Sequence, residues 1–403
     1  MSEIKVNSIK GVGASAAAIT VNNSDGTCAA NITSINGGQL SGRKNLVTNG
    51  EMTVCQRVGT TSTAVTNEHE YVLDRFQVST TSGGGTSLNV QQLHGNPTNA
   101  PYGFAASMKM TVAVADDGGA DSFNVVQTRI ENLDTNYLAF GTSQAKTVTL
   151  SFHVKSSLTG TFGGALVSGD FSRGNVFQYT INSADTWEKK TVTIVGDTTS
   201  AGSSVYNTAT VTSGNGLTLY FDLGSGSNNE KSAANSWAAT GVNAYGSRIA
   251  GNVKLCANAG ADWSITGIQL EEGSVATDYE HRSFGQELAL CQRYFQTIGV
   301  GFITACRGAS SSQLLYSYTP PVNLRASPTI STTNDGFNGT FGVRSYRDGS
   351  GTSDSTTTPA TNSAYFTANN PTIHLTQQGF SVTDDRSATI FVNGGAITLS
   401  AEL

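Results

Sequence analysis

Apolar and polar residues alternate with a period of two along much of this chain. The clearest runs are Ala106–Val112, Ala145–Val154, Trp187–Ile194, Gly216–Leu223 and Trp263–Glu271. Successive side chains of a strand point to opposite faces, so such runs predict strands with one face on a core. Clusters of Gly, Asn and Ser separate them, and no helical pattern lies between. The class expected is mainly β: an antiparallel sandwich, with about eight strands over residues 44–283 forming a jelly roll with long loops.

Residues 284–298 depart from this texture. Good helix formers fill the stretch, and Leu288, Cys291 and Phe295 recur at helical spacing on one face. Ser283 followed by Gln286 reads as a capping box, and Gly299 lies just past the end. A single linking helix over 284–296 is predicted. Strand patterns then resume at Val300–Cys306, Ser312–Tyr318, Gly339–Arg347, Thr372–Thr376, Ala388–Val392 and Ala396–Glu402. Asn393-Gly394 between the last two signals a hairpin. Asp348–Asn362 reads as an exposed tip loop. Residues 1–43 are small and polar and hold too little apolar area to fold alone. They are expected to rest on a partner, with a flexible tail as the alternative. The division expected is 1–43, 44–283, 284–298 and 299–403, the last a second β domain.

Composition narrows the function classes. Only 13% of residues are charged and 45 are Gly, against roughly 25% charged in ordinary globular chains. Net charge is −6 without a basic stripe, so nucleic acid is not an expected partner. No apolar run approaches the ~20 residues that cross a bilayer as a helix, and the start lacks a signal-peptide pattern. Cytoplasmic synthesis is expected, without membrane insertion. The five cysteines, Cys28, Cys55, Cys256, Cys291 and Cys306, form no CxxC and are expected as free thiols.

Catalytic signals are weak. Glu271 and Glu272 are adjacent and would point to opposite faces of a strand, a poor geometry for a carboxylate pair acting on one glycosidic bond. The five histidines are isolated, and no phosphate-binding or nucleophile-elbow motif occurs. No enzymatic activity and no cofactor are expected.

Three segments resemble known proteins. "MSEIKVNSIKG", "KNLVTNGEMTVCQR" with "YVLDRFQV", and "WSITGIQLEEGSVATDYEHRSFGQELALCQRYF" are similar to phage tail-fibre and virion structural proteins, in particular cyanophage ones. The closing "ITLSAEL" also resembles their ending. Cys55 and Phe76 stand where those proteins commonly carry Trp. The resemblance implies a homotrimeric virion component that attaches to tail or capsid proteins through residues 1–43 and contacts a host glycan. A decoration or scaffold protein without receptor role, or a polysaccharide-degrading tailspike, are the alternatives. It also implies a carbohydrate-module-like jelly roll. Such domains often hold structural calcium near the first strand, where Glu51 matches and Asp74 or Asp262 could add oxygen ligands; ordinary solvated carboxylates are the favoured alternative. Sugar rings pack on aromatic faces. The candidates are Trp237 and Tyr245 in the Gly224–Gly251 loop, where a loop-anchor role for the Trp is the favoured alternative, and Tyr346 and Tyr365 beside the tip loop.

Overall fold

A computed structural model of the chain describes residues 8–9, 19–21, 28–30, 43–65, 69–81, 87–117, 119–199, 206, 214–239, 246–299, 303–310, 313–333, 341–345, 353–357, 364–365, 373–378, 387–392 and 396–403. The short strands Ser8–Ile9, Ile19–Val21 and Cys28–Ala30 form a three-stranded antiparallel sheet.

The central sandwich is built from β1 (Thr63–Val65), β2 (Glu70–Leu73), β3 (Phe76–Thr81), β4 (Ser87–His94), β5 (Ala106–Val114), β6 (Phe123–Glu131), β7 (Val148–Ser156), β8 (Gly160–Ser168), β9 (Arg173–Ile181), β10 (Glu188–Ile194), β11 (Asn215–Asp222), β12 (Trp237–Ala239) and β13 (Asp262–Glu272). One sheet runs β10-β7-β13-β5-β4-β1 and the other β12-β9-β8-β11-β6-β3-β2. Number the eight strands β5 to β11 and β13 as B to I. The first sheet then contains the order B-I-D-G and the second C-H-E-F. That interleaving, with antiparallel pairing throughout the sandwich, defines a jelly roll. The expected architecture is present, with more strands than the eight anticipated.

Val148, Leu150, Phe152 and Val154 of β7 face Leu219 and Phe221 of β11 across one continuous core, which also takes Met108, Met110, Trp263 and Ile265. A second, smaller core lies outside the β6–β11–β8–β9 sheet. Phe123, Val125, Ala165, Val167, Val176 and Tyr220 pack there with Ile249. The covering chain carries the parallel pair Glu230–Lys231 and Arg248–Ile249. Much of the outer surface of that sheet is therefore interior. Gly163 and Gly164 of β8 sit under close neighbours, and a Cβ on Gly164 would meet the Phe177 ring at 2.3 Å.

Helix α1 spans Phe284–Gln292, shorter than anticipated. Its capping box forms as expected: Gln286 N donates to Ser283 Oγ and the Gln286 side chain accepts from Ser283 N. Cys291 is buried on the helix, but Phe295 falls in a strand, so the three-residue helical face is not realised.

That strand is β14 (Phe295–Ile298). It is followed by β15 (Ile303–Ser310), β16 (Gln313–Tyr318), β17 (Thr329–Thr333), β18 (Phe341–Ser345), β19 (Ser353–Thr357), β20 (Ala364–Tyr365), β21 (Ile373–Gln378), β22 (Ser387–Val392) and β23 (Ala396–Ser400). A seven-stranded sheet runs β19-β18-β22-β15-β16-β21-β20, and a three-stranded sheet β14-β23-β17. Two expectations change. Strands β22 and β23 belong to different sheets, so the Asn-Gly signal does not make a hairpin of them. The buried Ile397 and Leu399 pair β23 with β14 and β17 instead. The anticipated tip loop contains β19, paired with β18.

Candidate functional site

Apart from the opening one, the segments that carry the resemblance converge on one buried junction. Asn45 opens it. Its side-chain amide donates to Ile268 O at 2.9 Å, and its oxygen accepts from Val47 N and Leu270 N. Asn49, at φ 60°, donates to Val54 O and Asp74 O and accepts from Val54 N. The Asn49 backbone N–H donates to the Glu287 carboxylate of α1. Gly50 lies so close to β13 that a Cβ would stand 2.1 Å from Ile268 O. The Asn-x-x-x-Asn-Gly spacing is thus a backbone clamp between the chain entering the sandwich and the strand leaving it.

Next to the clamp, the end of the chain is locked against the sandwich. Glu402 accepts from Arg75, which is 2% exposed, and from Arg57 at 2.8 Å. Arg75 also donates to Arg129 O and stacks 3.5 Å above the Tyr294 ring. Arg57 lies 3.6 Å over Phe295. Arg129 and Tyr71 donate to the main-chain oxygen of Leu403. Arg293 makes a bidentate pair with buried Glu131, both bonds 3.0 Å. Burial acts to lower the Arg75 pKa, and the Glu402 charge more than offsets it, leaving the group above its ordinary value. The "QR", "DR" and "CQRYF" pieces of the motif are the parts of this lock.

The aromatic candidates fall elsewhere. Trp237 lies on β12, paired with Asn175 of β9. Its ring meets Phe140 at 5.6 Å and Tyr206 at 6.0 Å, both edge-on, and its Nε1 donates to Val195 O. Tyr206 donates to Asp197, which also holds Arg173 in a bidentate pair. Trp237 therefore ties the loops at the edge of the second sheet together. Tyr245 and Tyr346 lie outside the described residues. Tyr365 pairs with His374 through the backbone of β20 and β21.

The carboxylates proposed for calcium each have their own protein partner. Glu51 accepts from Ala105 N and lies 3.2 Å from His281 Nδ1. Asp74 accepts from the backbone and side-chain nitrogens of Gln56, and burial raises its pKa. Asp262 pairs with Lys109 at 2.9 Å. No group of three metal-ligating side chains occurs among the described residues. Glu271 and Glu272 also diverge: Glu271 accepts from Thr277, and Glu272 pairs with Lys146.

Two features escaped the sequence reading. An open cleft of about 810 Å³ runs beside α1, lined by Arg43, Arg282, Gln286, Leu290, Arg293 and Asn323 among others. Its arginines are engaged by Asp134, Glu280, Glu287 and Glu131. On the outer face of the β10-β7-β13-β5 sheet, Phe104 gathers His153, Tyr279 and His281 at 4.8, 5.2 and 5.6 Å. Burial and the Lys189 charge lower the His153 pKa to about 4. Neither feature has a short motif; each assembles residues far apart in the chain. No helix is long and apolar enough to cross a membrane among the described residues.

No family model matches this chain, and no curated protein does. Solved structures offer distant likenesses. The enzymatically active domain of bacteriophage CBA120 tailspike protein 4 shares 11% identity over 57% of this chain at a TM-score of 0.28, and the match spans only 21% of the tailspike chain. A family 11 carbohydrate-binding module of Clostridium thermocellum, in complex with a mixed-linked tetrasaccharide, shares 10% over 54% of this chain and 99% of its own, at 0.25. A tandem CBM22 unit of Paenibacillus barcinonensis Xyn10C shares 11% over 85% and 99%, at 0.24. At such scores the likenesses carry no argument about this chain. The jelly-roll assignment stands on its own strand order.

Proposed function

We propose that this chain is a structural component of a phage virion, a homotrimeric tail-fibre-type protein that attaches to the particle through residues 1–43 and contacts host glycan with its β domains. One observation carries the reading. The residues that resemble virion proteins, from Asn45 to Arg75 and from Trp263 to Phe295, meet in a single buried lock joining the jelly roll to the C-terminal strands. Rigid coupling of successive β units is what a mechanical component of a particle requires. The role is binding and architecture, without catalysis. The acidic pair at 271–272 is divided between Thr277 and Lys146, leaving no two carboxylates poised about one bond there.

The test has two arms. Antibody against the full chain should decorate intact phage particles in negative-stain images, and the purified full chain should bind host cells or an immobilised glycan panel. Labelling of the particle without cell or glycan binding would leave only a decoration role. Absence from the particle would overturn the virion assignment, and release of oligosaccharide from host polysaccharide would overturn the non-enzymatic one.

A further inference from the structure

The outer face of the β10-β7-β13-β5-β4 sheet carries a row of polar side chains that the junction does not use. Val154 and Phe152 point into the core, so Lys155 and His153 point out; the same alternation puts Ser264 of β13 and Lys109 of β5 outward. Register sets them side by side: Lys155 faces Ser264, Ser264 faces Lys109, and Lys109 faces Gln91 of β4. Trp187, one residue before β10, completes the row, with the Lys155 ammonium 5.3 Å from its ring centre. Ser264 is fully buried between the two lysines, and among the described residues its hydroxyl has no hydrogen-bond partner; the Trp187 indole N–H has none there either. A buried, unpaired hydroxyl costs free energy unless something answers it.

The neighbourhood is positive on a chain of net charge −6. Lys109, Lys155 and Lys189 project there, with Asp262 beside Lys109 and Asp185 within reach of the Lys155 charge. Farther along the face, Glu271 is taken up by Thr277. Burial and, less strongly, the Lys109 charge disfavour the Lys155 ammonium, while Asp262 and Asp185 favour it; burial prevails, so a further anion here would relieve it. A loop frames the patch. Lys155 donates to Thr98 O at 2.7 Å, Phe104 sits 4.8 Å from His153, and between them Tyr102 stands 88% exposed.

We propose that this face is a binding site for an acidic saccharide, its carboxylate received by Lys155, Lys109 and the Ser264 hydroxyl, and its ring packed on Tyr102 or Trp187. The proposal rests on the glycan-contact reading above and adds a location and a ligand class to it. It places the contact away from Trp237 and away from the second sheet, whose outer surface is covered in large part.

The full chain is titrated calorimetrically with oligogalacturonate and, as the neutral arm, with cello-oligosaccharides of matched length. Binding to oligogalacturonate, weakening as salt rises, with little binding to the neutral sugar, is expected. Tyr102→Ala, at a site too exposed to affect folding, should weaken binding about 10-fold through loss of ring packing. Lys155→Gln should weaken it by a similar factor and flatten the salt dependence. Unchanged affinity in both variants would overturn this site while leaving glycan binding intact elsewhere. Preference for the neutral sugar would overturn the ligand class. Failure of the full chain to bind any member of a broad glycan panel or host cells would overturn the site together with the reading on which it rests.

Discussion

Replacing Glu402 by Ala removes a carboxylate that faces both Arg57 and Arg75 in the junction. Arg75 is 2% exposed and the Glu402 side chain 6%, so the substitution leaves a guanidinium buried beside a hole. Breaking a buried pair from one side costs about 3–5 kcal/mol. Arg75 keeps its bond to Arg129 O and its place on Tyr294, which sets the expected loss near the lower limit, about 3 kcal/mol. Arg57 is 14% exposed and stacked on Phe295, and its share is ~0–1 kcal/mol. For a unit the size of the sandwich, about 3 kcal/mol lowers the melting temperature by about 6–12 °C. Circular dichroism melts of the full chain at one scan rate measure this directly. Glu402→Gln preserves shape but not charge, and should lose most of the same stability. Arg75→Met combined with Glu402→Leu fills the site without charge, and should recover much of it. A Glu402→Ala melt within about 1 °C of the parent would refute a lock that depends on this pair, and a double variant no better than the single one would refute the buried-charge argument.

Gly50→Ala pushes a methyl group to 2.1 Å from the Ile268 carbonyl, a backbone contact that no rotamer change relieves. A loss of about 1–3 kcal/mol is expected in urea titration, and an unchanged midpoint would contradict the clamp. His153 has its pKa lowered from 6.5 to about 4, so the fold favours the neutral ring. Its contribution is complete above pH 6.5, falls as the unfolded chain takes up the proton, and is gone below about 4. His153→Gln should flatten the acid limb of the stability curve between those values, and an NMR titration placing the ring near 6.5 would refute the account. Because Glu51, Asp74 and Asp262 are each committed to separate nitrogen donors, EDTA should leave the melt unchanged; a drop of several degrees reversed by calcium would show that those carboxylates ligate metal after all.

The strands that were legible in the sequence are those whose second face is polar. β7 and β13 alternate because their outward positions carry Thr149, His153 and Lys155, or Asp262 and Ser264. β8 and β6 gave no such signal. The chain around Arg248–Ile249 covers the outside of their sheet, so Ala165 and Val167 are buried as well as Phe162 and Leu166, and period two disappears. The helix start was legible because a capping box is a local device. Its end was not, because Phe295 is drawn into β14 by pairing with Ser400, more than a hundred residues away. Pairing across such distances also defeated the Asn-Gly signal: local turn chemistry offered a hairpin, while the buried faces of Ile397 and Leu399 fixed β23 between β14 and β17.

The same contrast separates the two kinds of site. The resembling segments beyond residue 43 are recognisable as text because each supplies several groups to one junction: Asn45 and Asn49 with Gly50, Asp74 with Arg75, Arg293 with Tyr294 and Phe295. A clamp of backbone bonds needs its residues at fixed spacing, which writes a motif. The lysine–serine row leaves no such trace. Lys109, Lys155, Trp187 and Ser264 come from four strands or their edges and become neighbours only through sheet register. A binding face built in this way can change its ligand by substituting single outward residues, since their inward neighbours carry the core. The junction has no such freedom, because Arg75, Glu402 and Asn49 are buried and each answers the polar groups of the others' segments. The motif thus reports the frame, and the proposed glycan contact falls where the motif is silent.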